Sequence, residues 1–516
     1  MTNALTRPVA VFLAGVAGLA LSAPATAETL REAMVKAYTT NPTLTAQRAT
    51  LRATDETVPI ARASSLPALN ANGAFTENLV VAGNSVFNPA RQATANTQLS
   101  IPLYQGGAVR NQIAAARTRV EGGRATLRST EADLFTAVVA AYMDVVRDEA
   151  IVGLNTQNVR VLDVNLRASS DRFQVGDLTR TDVAQSEARL ALARAQLQSA
   201  QAQLISSREN YIRIVGDEPQ SLAEPPALPN LPAASDTVVD VALQNNPALL
   251  AAAKERDASR YDVGVARASR LPRLNAVAGG SYYNYLNSLG AAGSLVGGVP
   301  LSGTAAQAGL QLSVPLFQGG RPAAQVRQAE ALQSRAIEQV TATERSVIAQ
   351  ARSAYAVWRS SEQVIASSEI AVNANKLSLE GVRAENSVGT RTILDILNAE
   401  QELLNSQVTL VTARRDSYVA GFALLAAMGR AEARNLGLDG GALYDPVVNY
   451  NRVRNKINDF AGDGEPAPVA TSTANSRAQN AAVAPTSDPM LDSSVDRNAA
   501  ITTGADSPNR GGAPVR

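Results

Sequence analysis

The chain has 516 residues, with 47 lysines and arginines against 46 acidic residues and a formal net charge of +1. That balance leaves no electrostatic footprint for nucleic acid. Cysteine and histidine are both absent, which excludes disulfides, the usual zinc sites and histidine acid–base catalysis, while the length calls for several units or one elongated architecture.

The first 27 residues read as a secretory signal. Arg7 gives a short positive region, Val9 to Leu21 an apolar stretch, and Ala25-Thr26-Ala27 a small-x-small cleavage site with Glu28 as the mature start. No later stretch is apolar for the roughly 20 residues that a spanning helix needs. The longest, Val419 to Met428, covers about half of that length. A mature chain that crosses a membrane must therefore do so as a β-barrel, the other way to satisfy backbone hydrogen bonds in lipid.

Thr29-x-x-Glu32 reads as a capped helix start, and so does Thr237-x-x-Asp240 much later in the chain. The Ala-rich segments that follow run to Leu66-Pro67 and Leu271-Pro272, where proline ends the helix. Polar, Gly- and Asn-rich stretches with strand alternation come next. In the first, Thr97, Leu99, Ile101 and Leu103 share one face and Gln98 and Ser100 the other. In the second, Leu310, Leu312, Val314 and Leu316 alternate with Gln311 and Ser313. Lipid-facing barrel strands need this pattern, and a half-buried strand of a soluble sheet produces it too.

These correspondences belong to an internal duplication. Ile101-Pro102-Leu103-Tyr104-Gln105-Gly106-Gly107 returns 213 positions later as Val314-Pro315-Leu316-Phe317-Gln318-Gly319-Gly320. Val175-Gly176 returns as Val388-Gly389, Thr181-Asp182 as Leu394-Asp395 and Tyr142 as Tyr355, at the same offset. Asn41-Pro42 and Asn246-Pro247 stand 205 apart, so the second copy carries a longer insertion between Pro272 and Val314.

After each Gln-Gly-Gly the chain is free of proline from Ala108 to Phe173 and from Ala323 to Asn386. Each stretch predicts a helix of roughly 100 Å, which no compact domain can hide, with Gly122-Gly123 and Gly381 as points of local softening. Val175-Gly176-Asp177 and Val388-Gly389-Thr390 predict tight turns, glycine ending one helix and Asp or Thr capping the next. On the return, Val183, Leu190, Leu197, Leu204 and Tyr211 recur every seven residues, with Ser186, Ala193, Ala200 and Ser207 between. Ile396, Leu403, Leu410 and Leu424, with Ala399, Ser406, Ala413 and Ala420, repeat the pattern in the second copy. Heptads of this kind specify coiled-coil packing with close backbones.

The organisation expected is a signal peptide (1–27), repeat 1 (28–216), a Pro-rich linker (217–236), repeat 2 (237–430), a C-terminal segment (431–460) and a disordered tail (461–516) without an apolar face.

A doubled helix–strand–strand–helix unit with (I/V)-P-L-(Y/F)-x-G-G and the tip motif Val388-Gly389-Thr390-Arg391-Thr392 resembles the TolC family of outer-membrane factors over about residues 28 to 430. Tyr444-Asp445-Pro446 through Phe460 resembles the C-terminal, equatorial segment of type I secretion members. The resemblance implies an α+β membrane protein, a long α-helical coiled-coil barrel joined to a trimeric 12-stranded transmembrane β-barrel with four strands per subunit. It implies an exit duct for type I protein secretion or efflux, in the outer membrane with its helices in the periplasm. A periplasmic adaptor (membrane fusion) protein and an inner-membrane transporter of ABC type are the implied partners, with no cofactor and no metal.

The same resemblance assigns a gate. Arg391 matches an arginine that ties the inner hairpin to a neighbouring tip, where Thr181 and Asp182 match its partners. Asp395 matches the first of two acidic residues ringing the constriction, while the second acidic position is Asn398 and a network tyrosine is Asn386. Val175, Gly176, Val388, Gly389 and Thr390 match the adaptor-facing tips. On the residues alone, Arg391 and Asp395 are also an i, i+4 helix pair. An enzyme needs a convergent site, and the sequence offers none. A periplasmic or surface coiled-coil scaffold or adhesin accounts for the heptads but not for the strands and the signal peptide.

Overall fold

The computed structural model describes residues 27–80, 89–228, 231–232, 234–289, 300–438, 443–483 and 488–491. The signal-peptide reading thus lies outside the described residues except for Ala27.

The first repeat holds α1 (Leu30–Thr40), α2 (Pro42–Asp55), α3 (Thr57–Ala63), β1 (Ala68–Glu77), β2 (Arg91–Tyr104), α4 (Ala108–Gln174) and α5 (Arg180–Val215). The second holds α6 (Ser235–Asn245), α7 (Pro247–Ala268), β3 (Arg273–Asn284), β4 (Ser302–Ser313), α8 (Arg321–Ser387) and α9 (Ile393–Ala427), and α10 (Pro446–Val453) follows. The long helices α4 and α8 each have 67 residues, and α5 and α9 have 36 and 35. In α4 the half after the sheet packs on α7, and the far half coils with α5. Helices α8 and α9 form the second hairpin, and α4 also meets α9 across the seam between repeats.

Local chemistry accounts for most boundaries. Thr29 and Glu32 form the expected capping box, each side chain bonding the other's backbone N–H. Asn41 and Asn246 cap α2 and α7, accepting two N–H bonds each ahead of a proline at the first helical position. The Thr237 start is not where the chain folds: α6 opens at Ser235 behind Ala234, without a side-chain cap. The motif was legible, but Thr237 and Asp240 already lie inside the helix. The glycine pair of α4 lies where two other helices cross it. A Cβ on Gly123 would stand 3.1 Å from Leu51 Cδ1, and one on Gly122 3.3 Å from Lys254 Cβ, so the glycines let α2 and α7 approach the rod.

The four strands form one antiparallel sheet in the order β1-β2-β3-β4. Its register sorts the residues by polarity. Leu69, Leu99, Ala278 and Ala308 align in one row, and Ile101, Ala276 and Leu310 in the next row on the same face. The opposite face carries Asn70, Asn72, Asn96, Gln98, Asn275, Gln307 and Gln311. Within one chain the apolar face is bare, with Leu69 72%, Leu310 69% and Leu312 63% exposed. The outer edges of β1 and β4 have no partner strand among the described residues.

The core lies midway along the rods, where α1, α6, the linker and the C-terminal segment surround α4. Phe135, Val138, Tyr142, Leu204 and Tyr211 are fully buried there. Glu28 N donates to Ser221 O and Ala223 N to Glu28 O, so the linker is stitched to the start of repeat 1. In the C-terminal segment Tyr444 N donates to Tyr38 Oη, and Asn449 Nδ2 donates to Asp55 Oδ2 at 2.8 Å.

At its described residues the tail, expected to be disordered, lies against the helices. Residues 471–483 and 488–491 follow the rods in extended and turn conformation, and Leu491 is only 4% exposed. The segment holds on through backbone groups and a few isolated apolar side chains, a mode of packing that leaves no hydrophobic period to read. Residues 492–516 lie outside the described residues.

Candidate functional site

The two hairpin tips lie at the ends of α4 and α8 remote from the sheet. Each long helix ends on a glycine with positive φ, +84° at Gly176 and +83° at Gly389. Asp177 N reaches back to Arg172 O and Thr390 N to Glu385 O, satisfying carbonyls that the last turn leaves free. The caps of the return helices come later than expected. Thr179, not Asp177, caps α5, and Thr392, not Thr390, caps α9. Each is the first residue of a capping box completed three positions on, by Asp182 and Asp395.

That geometry gives the two acidic tip residues a defined job in one chain. Asp395 Oδ2 accepts from Thr392 Oγ1 at 2.8 Å and from Thr392 N at 3.0 Å. Asp182 Oδ2 accepts from Thr179 Oγ1 at 2.7 Å and from Thr179 N at 2.9 Å. The threonine hydroxyl, then its N–H, holds each carboxyl below the usual aspartate range. Both stay ionised at neutral pH on an exposed surface.

Arg391 is exposed and donates from Nε to Glu385 Oε2 at 2.7 Å, closing the turn within its own hairpin. The Glu385 carboxylate raises the guanidinium further above its usual value. Asp395 and Arg391 favour each other's charge without a direct ion pair, and among the described residues Arg391 makes no hydrogen bond to Thr181 or Asp182 inside one chain. Thr181 stands exposed in the first turn of α5. Asn386 Nδ2 donates to Arg391 O at 2.7 Å and holds the loop backbone. Asn398 Oδ1 accepts from Arg189 Nη2 at 2.8 Å, which ties α9 to α5. Val175 and Val388 project outward, 80% and 73% exposed, beside Gly176, Gly389 and Thr390.

Two tip features escaped sequence reasoning. Glu385 and Arg189 carry the bonds of Arg391 and Asn398. Arg383 and Glu400 form an ion pair between α8 and α9, with side chains 12% and 7% exposed. Arg383 stands 6 residues before Gly389 and Glu400 11 after it, so a register read outward from that glycine does not announce the pair. Among the described residues no group of three or more acidic side chains is placed to hold a metal, and no helix is long and apolar enough to cross a membrane.

Comparison with known proteins adds four findings. The profile of the family described as "Outer membrane efflux protein" matches residues 33–217 and 238–430, one stretch in each repeat. The chain is 34% identical over 432 residues to outer membrane efflux protein BepC of Brucella suis biovar 1, covering 84% of this chain and 92% of that one. It is 27% identical over 466 residues to outer membrane protein TolC of Escherichia coli K12, covering 87% and 93%. In fold it resembles the crystal structure of the Campylobacter jejuni CmeC outer membrane channel, with a TM-score of 0.68 at 16% identity over 83% of this chain and 90% of that one.

Proposed function

Because the chain belongs to the outer membrane efflux protein family, we propose that it is the outer-membrane exit duct of an export machine, assembled from three copies. The observation that carries this reading is the two-faced sheet. An apolar face next to an Asn- and Gln-rich face fits strands with lipid on one side and water on the other. Four strands with two open edges do not enclose a pore, and an unpaired edge in lipid leaves backbone groups unsatisfied. Three copies joined edge to edge would make a 12-stranded barrel.

The rods support the same assembly. Helix α8 leaves Val357, Val364, Ile370 and Leu377 exposed, by 51%, 44%, 71% and 70%, and each pair stands seven residues apart. An apolar row at that spacing is a seam awaiting another helix. In the trimer it meets the next subunit, and the helices form a periplasmic tunnel.

At the tunnel's narrow end, three Asp395 carboxylates would ring the axis and favour cations. Arg391, with Thr181 and Asp182 of a neighbouring tip, would hold the ring shut, alongside the Arg391–Glu385 bond within each hairpin. The exposed Val175 and Val388 knobs give a periplasmic adaptor an apolar grip, and through it an inner-membrane transporter of ABC type selects the cargo. Substrate passes without chemical change.

Recording the detergent-purified protein in planar bilayers tests the function. The duct predicts discrete, cation-selective conductance steps. A protein that leaves membranes without detergent and carries no current would instead be the scaffold or adhesin that the heptads alone allow.

A further inference from the structure

The C-terminal tail lies beyond the family match, which stops at residue 430, and its described residues touch both repeats. Its first piece descends α5. Arg477 N donates to Glu218 Oε1 at 2.7 Å and Gln479 N to Glu209 Oε1 at 3.3 Å. Arg208 then donates to Asn480 O at 2.6 Å and to Ala482 O at 2.9 Å, while its Nη2 also pairs with Glu149 of α4. The second piece lies on the other hairpin. Asp488 Oδ2 pairs with Arg414 Nη1 of α9 at 2.6 Å. Lys376 Nζ of α8 donates to Pro489 O at 2.7 Å, and Gln407 Nε2 of α9 to Met490 O at 3.1 Å. Leu491 is buried against Leu154 of α4 and Leu404 and Val411 of α9. Met490 packs on the cluster that α4, α5, α8 and α9 share.

We propose that these two pieces form a strap in cis that locks the α4–α5 hairpin to the α8–α9 hairpin and must lift before the hairpins can separate. The seam it covers is the weaker one in the rod, since α4 packs more extensively on α5, and α8 on α9, than α4 does on α9. Leu491 is wedged into that seam between a helix of each repeat. Separating α4 from α9 takes Leu154 away from Leu491 and returns part of its side chain to water, while the Arg414 and Gln407 ties keep the tail on α9. A leucine buried to this degree biases a two-state seam by about tenfold toward the closed arrangement. The lock rests on the channel reading for its effect on current, but not for the contact itself.

The native chain has no cysteine, so an engineered pair can report the contact. Full-length protein carrying Leu154→Cys on α4 and Leu491→Cys, its tail still tied to α9 through Asp488 and Met490, is joined with a short bis-maleimide, or by oxidation, and recorded in planar bilayers. The expected result is efficient cross-linking within one chain and an open probability below that of the unlinked protein, restored by reductant in the oxidised sample. The double variant Asp488→Arg, Leu491→Asp should do the opposite and raise open probability about tenfold, with unchanged subunit stoichiometry. Absence of the cross-link overturns the strap, and so does a cross-link or double variant that leaves gating at the native level. If the unmodified protein carries no current, the channel reading fails, and intrachain cross-linking alone still decides whether the strap is seated.

Discussion

Arg189 Nη2 donates to Asn398 Oδ1 at 2.8 Å, joining the return helix of the first repeat to that of the second just above the tips. The resemblance places an acidic residue at position 398. With asparagine there, the link is a neutral-acceptor bond instead of an ion pair, and a partly exposed pair differs from it by only about 1 kcal/mol.

This gives the first prediction. Arg189→Ala should raise the open probability of single channels, and Asn398→Asp should lower it by turning the bond into an ion pair. The two variants are compared in planar bilayers at low and at high salt. The Asn398→Asp effect should fade at high salt, because an exposed pair is screened. Identical gating in both variants would leave the bond without a role in closure.

Asp395 yields the second. Its folded pKa is depressed by Thr392, so its contribution is fully present above the ordinary aspartate value of about 4 and is lost as pH falls through the lower folded value. Cation selectivity should therefore persist on mild acidification and disappear only below the usual carboxylate range. Asp395→Asn should abolish that pH dependence and weaken block by multivalent cations at neutral pH. Reversal potentials across a salt gradient measure both. Selectivity lost between pH 7 and 5 would point to other groups.

A third prediction concerns the Arg383–Glu400 pair in the second hairpin. Removing one member of a buried pair leaves an uncompensated charge, at a cost of about 3–5 kcal/mol. Glu400→Ala should therefore speed amide exchange in the tip halves of α8 and α9 while the sheet keeps its protection. Replacing the pair with Met and Leu should restore most of the protection. Equal exchange in the native protein and Glu400→Ala would show that the pair adds nothing.

The fourth tests the orientation of the sheet. Leu310→Arg places a charge on the apolar face, costing about 2–4 kcal/mol near the bilayer midplane, and should impair membrane assembly. Gln98→Arg, on the opposite face, should assemble normally and alter conductance. Outer-membrane yield of the two variants decides it, and equal yields would mean that both faces are wet.

How much of this was legible follows from the range of each interaction. The duplication, the strand faces and the heptads are local periodicities, and Leu190, Leu204 and Tyr211 are buried as their spacing demands. Thr29 and Glu32 were readable because a capping box is closed within four residues. The tip caps were displaced by two residues because the side chains of Asp177 and Thr390 turn back to the preceding helix, Asp177 accepting from Arg172 Nε and Thr390 donating to Glu385 O, which leaves Thr179 and Thr392 to start the helices. Arg189 and Asn398 stand 209 residues apart and Leu491 stands far from both helices of its seam, and no period announces either contact. Gly122 and Gly123 look like weak points in a rod until α2 and α7 are seen to cross there.

The most direct test of the central claim, a closed ring of three subunits, uses the cysteine-free chain again. Asn72→Cys on β1 and Gln307→Cys on β4 put one thiol near each open edge, both on the polar face. Membranes are treated with a flexible bis-maleimide, and the products are separated by mass in denaturant. Edge-to-edge closure predicts covalent species of one, two and three chains and nothing larger. Products confined to one chain, or a ladder continuing past three, would contradict it.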